Sequence, residues 1–477
     1  MTAVANRPTA AALTGPGGSP GGSPGGSPAV SDMDRVCVIG AGSSGLAGAH
    51  RLLQQGFAVE ILERTDDLGG NWNFGSPASR VFATTHLVSS KRLTEYPDFP
   101  MPQGYPDFPS HVQAQQYLRA YADRFRLVEH IRFGAEVVWV ARPADGRGWE
   151  VRLGDGSRHP YRAVVVANGH NWAPRWPDYP GRFTGQLLHA AEYRDSDLLR
   201  GQRVVVVGGG NSGCDIACDA AAVGASAVHS LRRGYHILPK YVFGTPTDLW
   251  AETFVRARVP LAARRAVGEL LLKLFSHELW RYGYPRPDHR LWETHLVLNS
   301  QLAHHAAHGR ISAKPDIARF DRTDVVFTDG SRVTADVVVL ATGYRIELPF
   351  LDPADLDWEA GTPTLYLNLF SPRHDDLFVL GLMQPSQGQW QLVDYQARAV
   401  AAYLWSARHR PRRAARFRAR AAGPSPHLGG PVRYVDSPRH AIELDHATYR
   451  RRMNRVIRQL VGSRTTLLGT GTTRPAD

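Results

Sequence analysis

The stretch Val36-Cys37-Val38-Ile39-Gly40-Ala41-Gly42-Ser43-Ser44-Gly45 decides how this chain is read. Four apolar residues fit a buried strand, and Gly-x-Gly-x-x-Gly then turns the chain into a helix. Such a turn suits a dinucleotide. The first glycine allows the tight bend, the second admits a pyrophosphate against the backbone, and the third lets helix pack on strand. Phosphates meet the free N–H groups at the helix N-terminus. Farther along, Val204-Val205-Val206-Val207 leads into Gly208-Gly209-Gly210-Asn211-Ser212-Gly213 and repeats the arrangement. A single match is weak; two in strand–turn–helix context predict two dinucleotides on one chain. The predicted fold class is α/β, with two dinucleotide-binding, Rossmann-like domains.

The residues about twenty positions beyond each turn separate the two cofactors. Val59-Glu60-Ile61-Leu62-Glu63 reads as a second strand with Glu63 at its carboxyl end. A carboxylate there accepts from a ribose 2′-OH and repels a 2′-phosphate, which selects FAD or NAD. The corresponding strand after the second turn, Ala227-Val228-His229-Ser230-Leu231, ends in Arg232-Arg233. Two guanidinium forks suit a 2′-phosphate and favour NADPH over NADH. The plainer alternative is a solvated loop, since the chain carries 56 Lys+Arg.

With 477 residues and 43% hydrophobic content, the chain can form two domains of a soluble globular protein. Its net charge of +12 owes much to the arginine-rich run 408–420. No nucleic-acid motif accompanies that run, so a solvated helix face is expected and no nucleic-acid partner. Cys37, Cys214 and Cys218 are the only cysteines. Cys214 and Cys218 share one face of the helix after the second turn, a spacing that suits core packing better than a redox pair. No segment approaches the roughly 20 apolar residues of a membrane span, and no signal peptide is recognisable. The expectation is a cytoplasmic protein without a membrane anchor.

Residues 1–32 carry the repeat Gly-Gly-Ser-Pro and are expected to be disordered. The FAD-binding domain is then predicted in two parts, 33–170 and 331–445. Between them lies the NADPH-binding domain, 171–330, with a helical insertion over about Trp250–His308, and a C-terminal helix and polar tail occupy 446–477. This inserted order follows from a recurrence. The apolar strands at Ala163–Ala167 and Asp336–Leu340 each leave through a glycine-containing turn, as if the chain crossed between domains twice.

Just before the second glycine turn, Phe183-Thr184-Gly185-Gln186-Leu187-Leu188-His189-Ala190-Ala191-Glu192-Tyr193 fits Phe-x-Gly-x-x-x-His-x-x-x-Tyr. This resembles the identifying motif of the flavin-containing monooxygenases, the class B flavoprotein monooxygenases. The Baeyer–Villiger branch is similar but usually ends in Trp, so Tyr193 favours the branch that oxygenates nitrogen and sulfur. Gly69-Gly70-Asn71-Trp72, Ala341-Thr342-Gly343-Tyr344, Gly381-Leu382-Met383-Gln384-Pro385 and Gln396-Ala397-Arg398 also resemble family segments, over roughly residues 34–400.

The resemblance implies that FAD is held by Gly40, Gly42, Ser43, Gly45, Glu63, Gly70, Trp72 and Val88, with Gln384 and Pro385 near the isoalloxazine. It places NADPH on Gly208, Gly210, Asn211, Ser212, Gly213, Asp215, Arg232 and Arg233. The implied reaction uses NADPH and O2, passes through a C4a-(hydro)peroxyflavin and oxygenates a small-molecule amine or sulfide. For His189 the resemblance implies a structural, gating role near the domain hinge.

One residue departs from the family. An Asn usually stands three positions before a Lys in the segment facing the flavin, and here Val88 precedes Lys91. Asn71, Ser89 and Ser90 are the side chains available to replace the missing amide. Two alternatives stand beside the main reading: a Baeyer–Villiger enzyme turning a ketone into an ester, and a flavin-dependent dehydrogenase.

Overall fold

Val36–Ile39 is the central strand of a five-stranded parallel sheet, all four of its residues buried. The strand order is 377–379, 163–166, 36–39, 59–62, 131–132. Val36 lies opposite both Val59 and Ala163. Both faces of a parallel sheet are covered, which is why these strands are continuous apolar runs and not alternating ones. The computed structural model describes residues 34–275 and 279–462. The Gly-Gly-Ser-Pro leader and the polar tail beyond residue 462 lie outside them.

Helix Ser43–Gln54 leaves the first glycine turn and packs on the long helix Gln389–His409. Arg51, fully buried, ties the two: its Nε donates to Asp394 Oδ1 at 2.6 Å, and Nη2 reaches Asp98 Oδ2 at 2.7 Å. The arginine-rich run forms helix Pro411–Ala421, which buries Ala414, Phe417 and Ala421 and leaves most of its arginines at the surface. Arg418 is an exception, donating to the carbonyls of Ser371 and Pro372.

The second glycine turn follows strand Arg203–Val207 in another five-stranded parallel sheet, ordered 186–189, 337–340, 203–207, 226–230, 311–314. Cys214 and Cys218 are free thiols in the core beneath its helix, Asn211–Val223. One sheet is thus inserted within the chain of the other, as expected. Two boundaries differ. Strand Val337–Leu340 pairs with Gln186–His189 and Val204–Val207, so the inserted domain extends beyond 330 to about 340. The two crossings run side by side, Ala173–Pro174 pairing antiparallel with Tyr344–Arg345. At the other end, helix His446–Val461 packs on Gln389–His409 and belongs to the first domain, which does not stop at 445.

The insertion is less helical than its apolar clusters predicted. Helices Thr247–Arg256 and Leu261–Phe275 form, but 283–296 is irregular. Gly283, Pro285 and Pro287 account for this: proline lacks the N–H and blocks the preceding helical turn. Among the described residues no helix is long and apolar enough to cross a membrane.

Candidate active site

At the first turn Gly40 has φ +103°, a conformation that disfavours any side chain. A Cβ on Gly45 would lie 1.8 Å from the Gly40 carbonyl oxygen. Helix Ser43–Gln54 has no side chain capping its start, so its first N–H groups face outward with the positive end of the helix dipole. The Leu68–Trp72 turn docks here: Gly69 N donates to Ala41 O at 3.0 Å, and Gly70 approaches Gly42. Glu63 is buried. Its Oε2 accepts from Ala41 N at 2.7 Å, and its Oε1 accepts from Thr65 N and Oγ1 at 3.0 and 2.8 Å. Glu63 therefore braces the turn, while Oε2 keeps a lone pair for a hydroxyl. Gly40, Gly42, Ser43, Gly45, Glu63 and Gly70 thus come together at one turn, and a glycine cradle beside an uncapped helix fits the pyrophosphate of FAD.

The second turn repeats this with Gly208 at φ +122° and helix Asn211–Val223 uncapped. A Cβ on Gly213 would meet the Gly208 carbonyl oxygen at 1.9 Å, so Gly213 is the helix–strand contact. Gly209 has the Tyr235 ring packed against it, and the Arg439 guanidinium lies over that ring at 4.8 Å. Arg439 Nη2 is also the nearest group to a Cβ built on Gly210, at 3.9 Å.

The two predicted arginines divide. Arg232 is exposed on the cavity wall, whereas Arg233 pairs with Asp288 at 2.7 Å and does not line the cavity. Sequence reasoning did not find Arg439, because nothing near it in the chain marks a phosphate site. Asn211 and Asp215 face the insertion: Asn211 Oδ1 accepts from Leu298 N at 3.2 Å, and Asp215 Oδ1 accepts from Asn299 Nδ2 at 2.7 Å. Desolvation lifts the Asp215 pKa to about 6. Their work is to anchor the insertion on the nucleotide helix.

One cavity of about 1230 Å³ is lined by residues of both domains and by the second turn, whereas Gly40, Gly42, Ser43, Gly45, Glu63 and Gly70 of the first do not line it. Trp72, Val88, Ser89, Gln384 and Pro385 line it from the first domain, and Gly208, Gly210, Asn211, Ser212 and Arg232 from the second. Two of the three side chains named to replace the missing amide lie elsewhere. Asn71 is exposed and its Oδ1 accepts from Arg80 N at 2.7 Å, capping a local turn outside the cavity. Ser90 is buried behind the wall, its N–H donating to Asp248 Oδ2 at 2.6 Å. Only Ser89 lines the cavity.

His189 lines it too, between Trp176 and Tyr344, with Nδ1 accepting from Ala191 N at 3.0 Å. Burial holds its pKa below the usual histidine value. Tyr193 is buried and donates to Asp219 Oδ2 at 2.9 Å, an oxygen that also accepts from Thr84 Oγ1. That shared carboxylate joins the segment before Val88 to the second domain.

Two parallel sheets, each with a glycine turn leading into an uncapped helix, in domains that share one cavity, are the frame of a two-dinucleotide oxidoreductase. The chain belongs to the flavin-binding monooxygenase-like family, whose profile matches residues 33–458. It is 32% identical over 391 residues to flavin-containing monooxygenase 3 of Rattus norvegicus, covering 77% of this chain and 73% of the relative. To the N-oxide-forming dimethylaniline monooxygenase 2 of Rattus norvegicus it is 31% identical over 387 residues, covering 76% and 72%. Among solved structures, S-allyl-L-cysteine S-oxygenase from Allium sativum superposes with a TM-score of 0.62 at 21% identity, covering 89% of this chain and 88% of that one. The protein is an FAD-dependent monooxygenase that uses NADPH.

Proposed function

We propose that this enzyme oxygenates a nucleophilic nitrogen or sulfur of a small amine or sulfide. Substrate, O2, NADPH and a proton give the N- or S-oxide, NADP+ and water. One oxygen atom enters the product; the other leaves as water with the electron pair from NADPH. The observation that carries this reading is the shared cavity, lined by Trp72, Val88, Ser89 and Gln384 of the first domain and by Gly208, Gly210 and Ser212 of the second, where groups held by both domains can meet one substrate. The name of the N-oxide-forming relative supports the nitrogen half of it.

Bound flavin supplies the hydride acceptor and the oxygen-activating centre. The chain itself supplies position and dryness. The first turn and the Leu68–Trp72 turn hold the dinucleotide, and Trp72 closes the cavity edge-on to Trp390. Arg232 and Arg439 hold the phosphates of NADPH, while Arg233 is committed to Asp288. The Val88 side chain would offer no hydrogen-bond donor toward a bound flavin, so Ser89 and backbone N–H groups would take that task. Excluding water from the cavity keeps reducing equivalents from escaping as H2O2.

The test is oxygen bookkeeping. FAD-loaded enzyme is supplied with NADPH and isotopically heavy O2, with a tertiary amine, a thioether or a cyclic ketone as substrate. The expected result is heavy oxygen in the N- or S-oxide, with one NADPH consumed per product. Ester from the ketone alone would move the chain to Baeyer–Villiger chemistry, and NADPH oxidation giving only H2O2 would reject oxygenation.

A further inference from the structure

The cavity is also walled by helix Thr247–Arg256 and the start of helix His446–Val461. Asp248 and Glu252 stand four residues apart on the first helix, hence on one face, and both are buried against the cavity at 7% and 4% exposure. Each spends one carboxylate oxygen on the protein. Asp248 Oδ2 accepts from Ser90 N, and Glu252 Oε1 accepts from Arg256 Nε at 2.9 Å with Arg450 at 3.7 Å. The other oxygens, Asp248 Oδ1 and Glu252 Oε2, are buried and make no hydrogen bond of good geometry, although the Ser90 hydroxyl lies against the Asp248 carboxylate.

His446 adds an independent sign. It lines the same cavity at 2% exposure, with neither ring nitrogen hydrogen-bonded. Arg450, one helical turn from His446, lies 3.7 Å from Glu252 and so ties the start of helix His446–Val461 to helix Thr247–Arg256. Burial first and Arg450 second hold the imidazole pKa at about 4, so it is neutral. Burial raises the Asp248 pKa, and what opposes that rise is hydrogen bonds and not a cation.

Buried polar atoms are rarely left without partners, because each forfeits its hydration. Here three side chains lining one cavity leave such atoms. A carboxylate accepts only, and a neutral imidazole accepts at one nitrogen. A cation with several N–H bonds satisfies their acceptor atoms together. We propose that Asp248, Glu252 and His446 form a subsite for the ammonium group of a bifunctional substrate, whose separate sulfur or tertiary nitrogen is the atom oxygenated. The subsite lies beside the Val88–Ser90 segment through the Ser90–Asp248 hydrogen bond, which leaves a short spacer between the ammonium and the reacting atom. This assignment rests on the N- or S-oxygenation proposed above.

The experiment compares S-methylcysteamine, its neutral isostere methyl propyl sulfide, and the anionic (methylsulfanyl)acetate, using FAD-loaded enzyme with NADPH and O2. A charge-assisted contact gives about tenfold or more in kcat/KM for the ammonium thioether over the neutral one. In D248N and in E252Q that ratio is expected to collapse toward one. Each ratio is taken within one protein, so a general loss of activity cancels. If D248N fails to retain FAD, E252Q decides.

Equal use of the ammonium and neutral thioethers would overturn the subsite, as would a ratio that neither variant changes. Preference for the anion would overturn it in favour of Arg264, which lines the same cavity. Binding is read in parallel, from the perturbation of flavin absorbance by each thioether. Tighter binding of S-methylcysteamine that the variants abolish, without any S-oxide formed, would keep the subsite and reject the oxygenation. Equal binding of the ammonium and neutral thioethers would reject the subsite whatever the chemistry.

Discussion

Arg439 holds its guanidinium over the Tyr235 ring beside Gly210 and forms no ion pair among the described residues. A guanidinium with its forks free is disposed to bind phosphate; one already closed on a carboxylate is not. Arg233, paired with Asp288, is in the second state, and that pair holds the Asp288 pKa down to about 2. The expected outcome is that R439Q raises the Kd for NADP+ about tenfold, leaves FAD content unchanged, and exceeds the effect of R233Q. Titration of FAD-loaded enzyme with NADP+ measures both. A silent R439Q with a damaging R233Q would return the phosphate to the arginine pair at 232–233.

At the scale of elements, the glycines of the second turn separate folding from binding. In G213A the new methyl carbon has to occupy a point 1.9 Å from the Gly208 carbonyl oxygen, so helix and strand must part. That variant is expected to lose thermal stability together with NADP+ binding. Gly210 has φ −82°, allowed for any residue, and its nearest neighbour would be Arg439 at 3.9 Å. G210A should therefore melt like the parent while its NADP+ affinity falls, because the methyl group projects where the phosphate approaches. Thermal scans with and without NADP+ distinguish the two, and a G210A protein bound as tightly as the parent would take the phosphate away from this turn. The element that seats the substrate wall is helix Thr247–Arg256, clamped to the first domain by the Ser90–Asp248 hydrogen bond.

For the whole molecule, histidines buried as neutral rings tie stability to pH. His446 is the cleanest case, since its ring has no hydrogen bond to lose. Its folded pKa of about 4 lies below the unfolded value of 6.5. The neutral ring's contribution is therefore complete above pH 6.5 and is lost as the pH falls toward 4. Relative to H446F, the parent should lose up to about 2 kcal/mol of stability between pH 7 and pH 5. Melting both proteins across that range checks it, and a gap that does not change with pH would mean that the ring is not held neutral. His229 is buried with its pKa near 4 as well, but it bonds to Gly208 O at 2.9 Å, so its replacement would also disturb the nucleotide turn.

The sequence by itself determined the two nucleotide turns and the buried parallel strands that lead into them. It also determined the inserted order of the domains and Glu63 beside the first turn. These are local facts: a glycine turn needs contiguous residues, and a strand buried on both faces shows itself as an apolar run. Tertiary structure decided what depends on partners far apart in the chain. Asp288 closes Arg233 from 55 positions away, and Arg439 reaches Gly210 from the C-terminal region. Strand Val337–Leu340 joins the second sheet because its hydrogen-bond partners lie at 186–189 and 204–207, which no run of residues around it declares. Asn71 and Ser90 carry the right chemistry, but the backbone turns one outward and buries the other behind the wall. Asp248, Glu252 and His446 meet only when two distant helices close on one cavity, for a side chain's charge is written in the sequence and its neighbours in the fold.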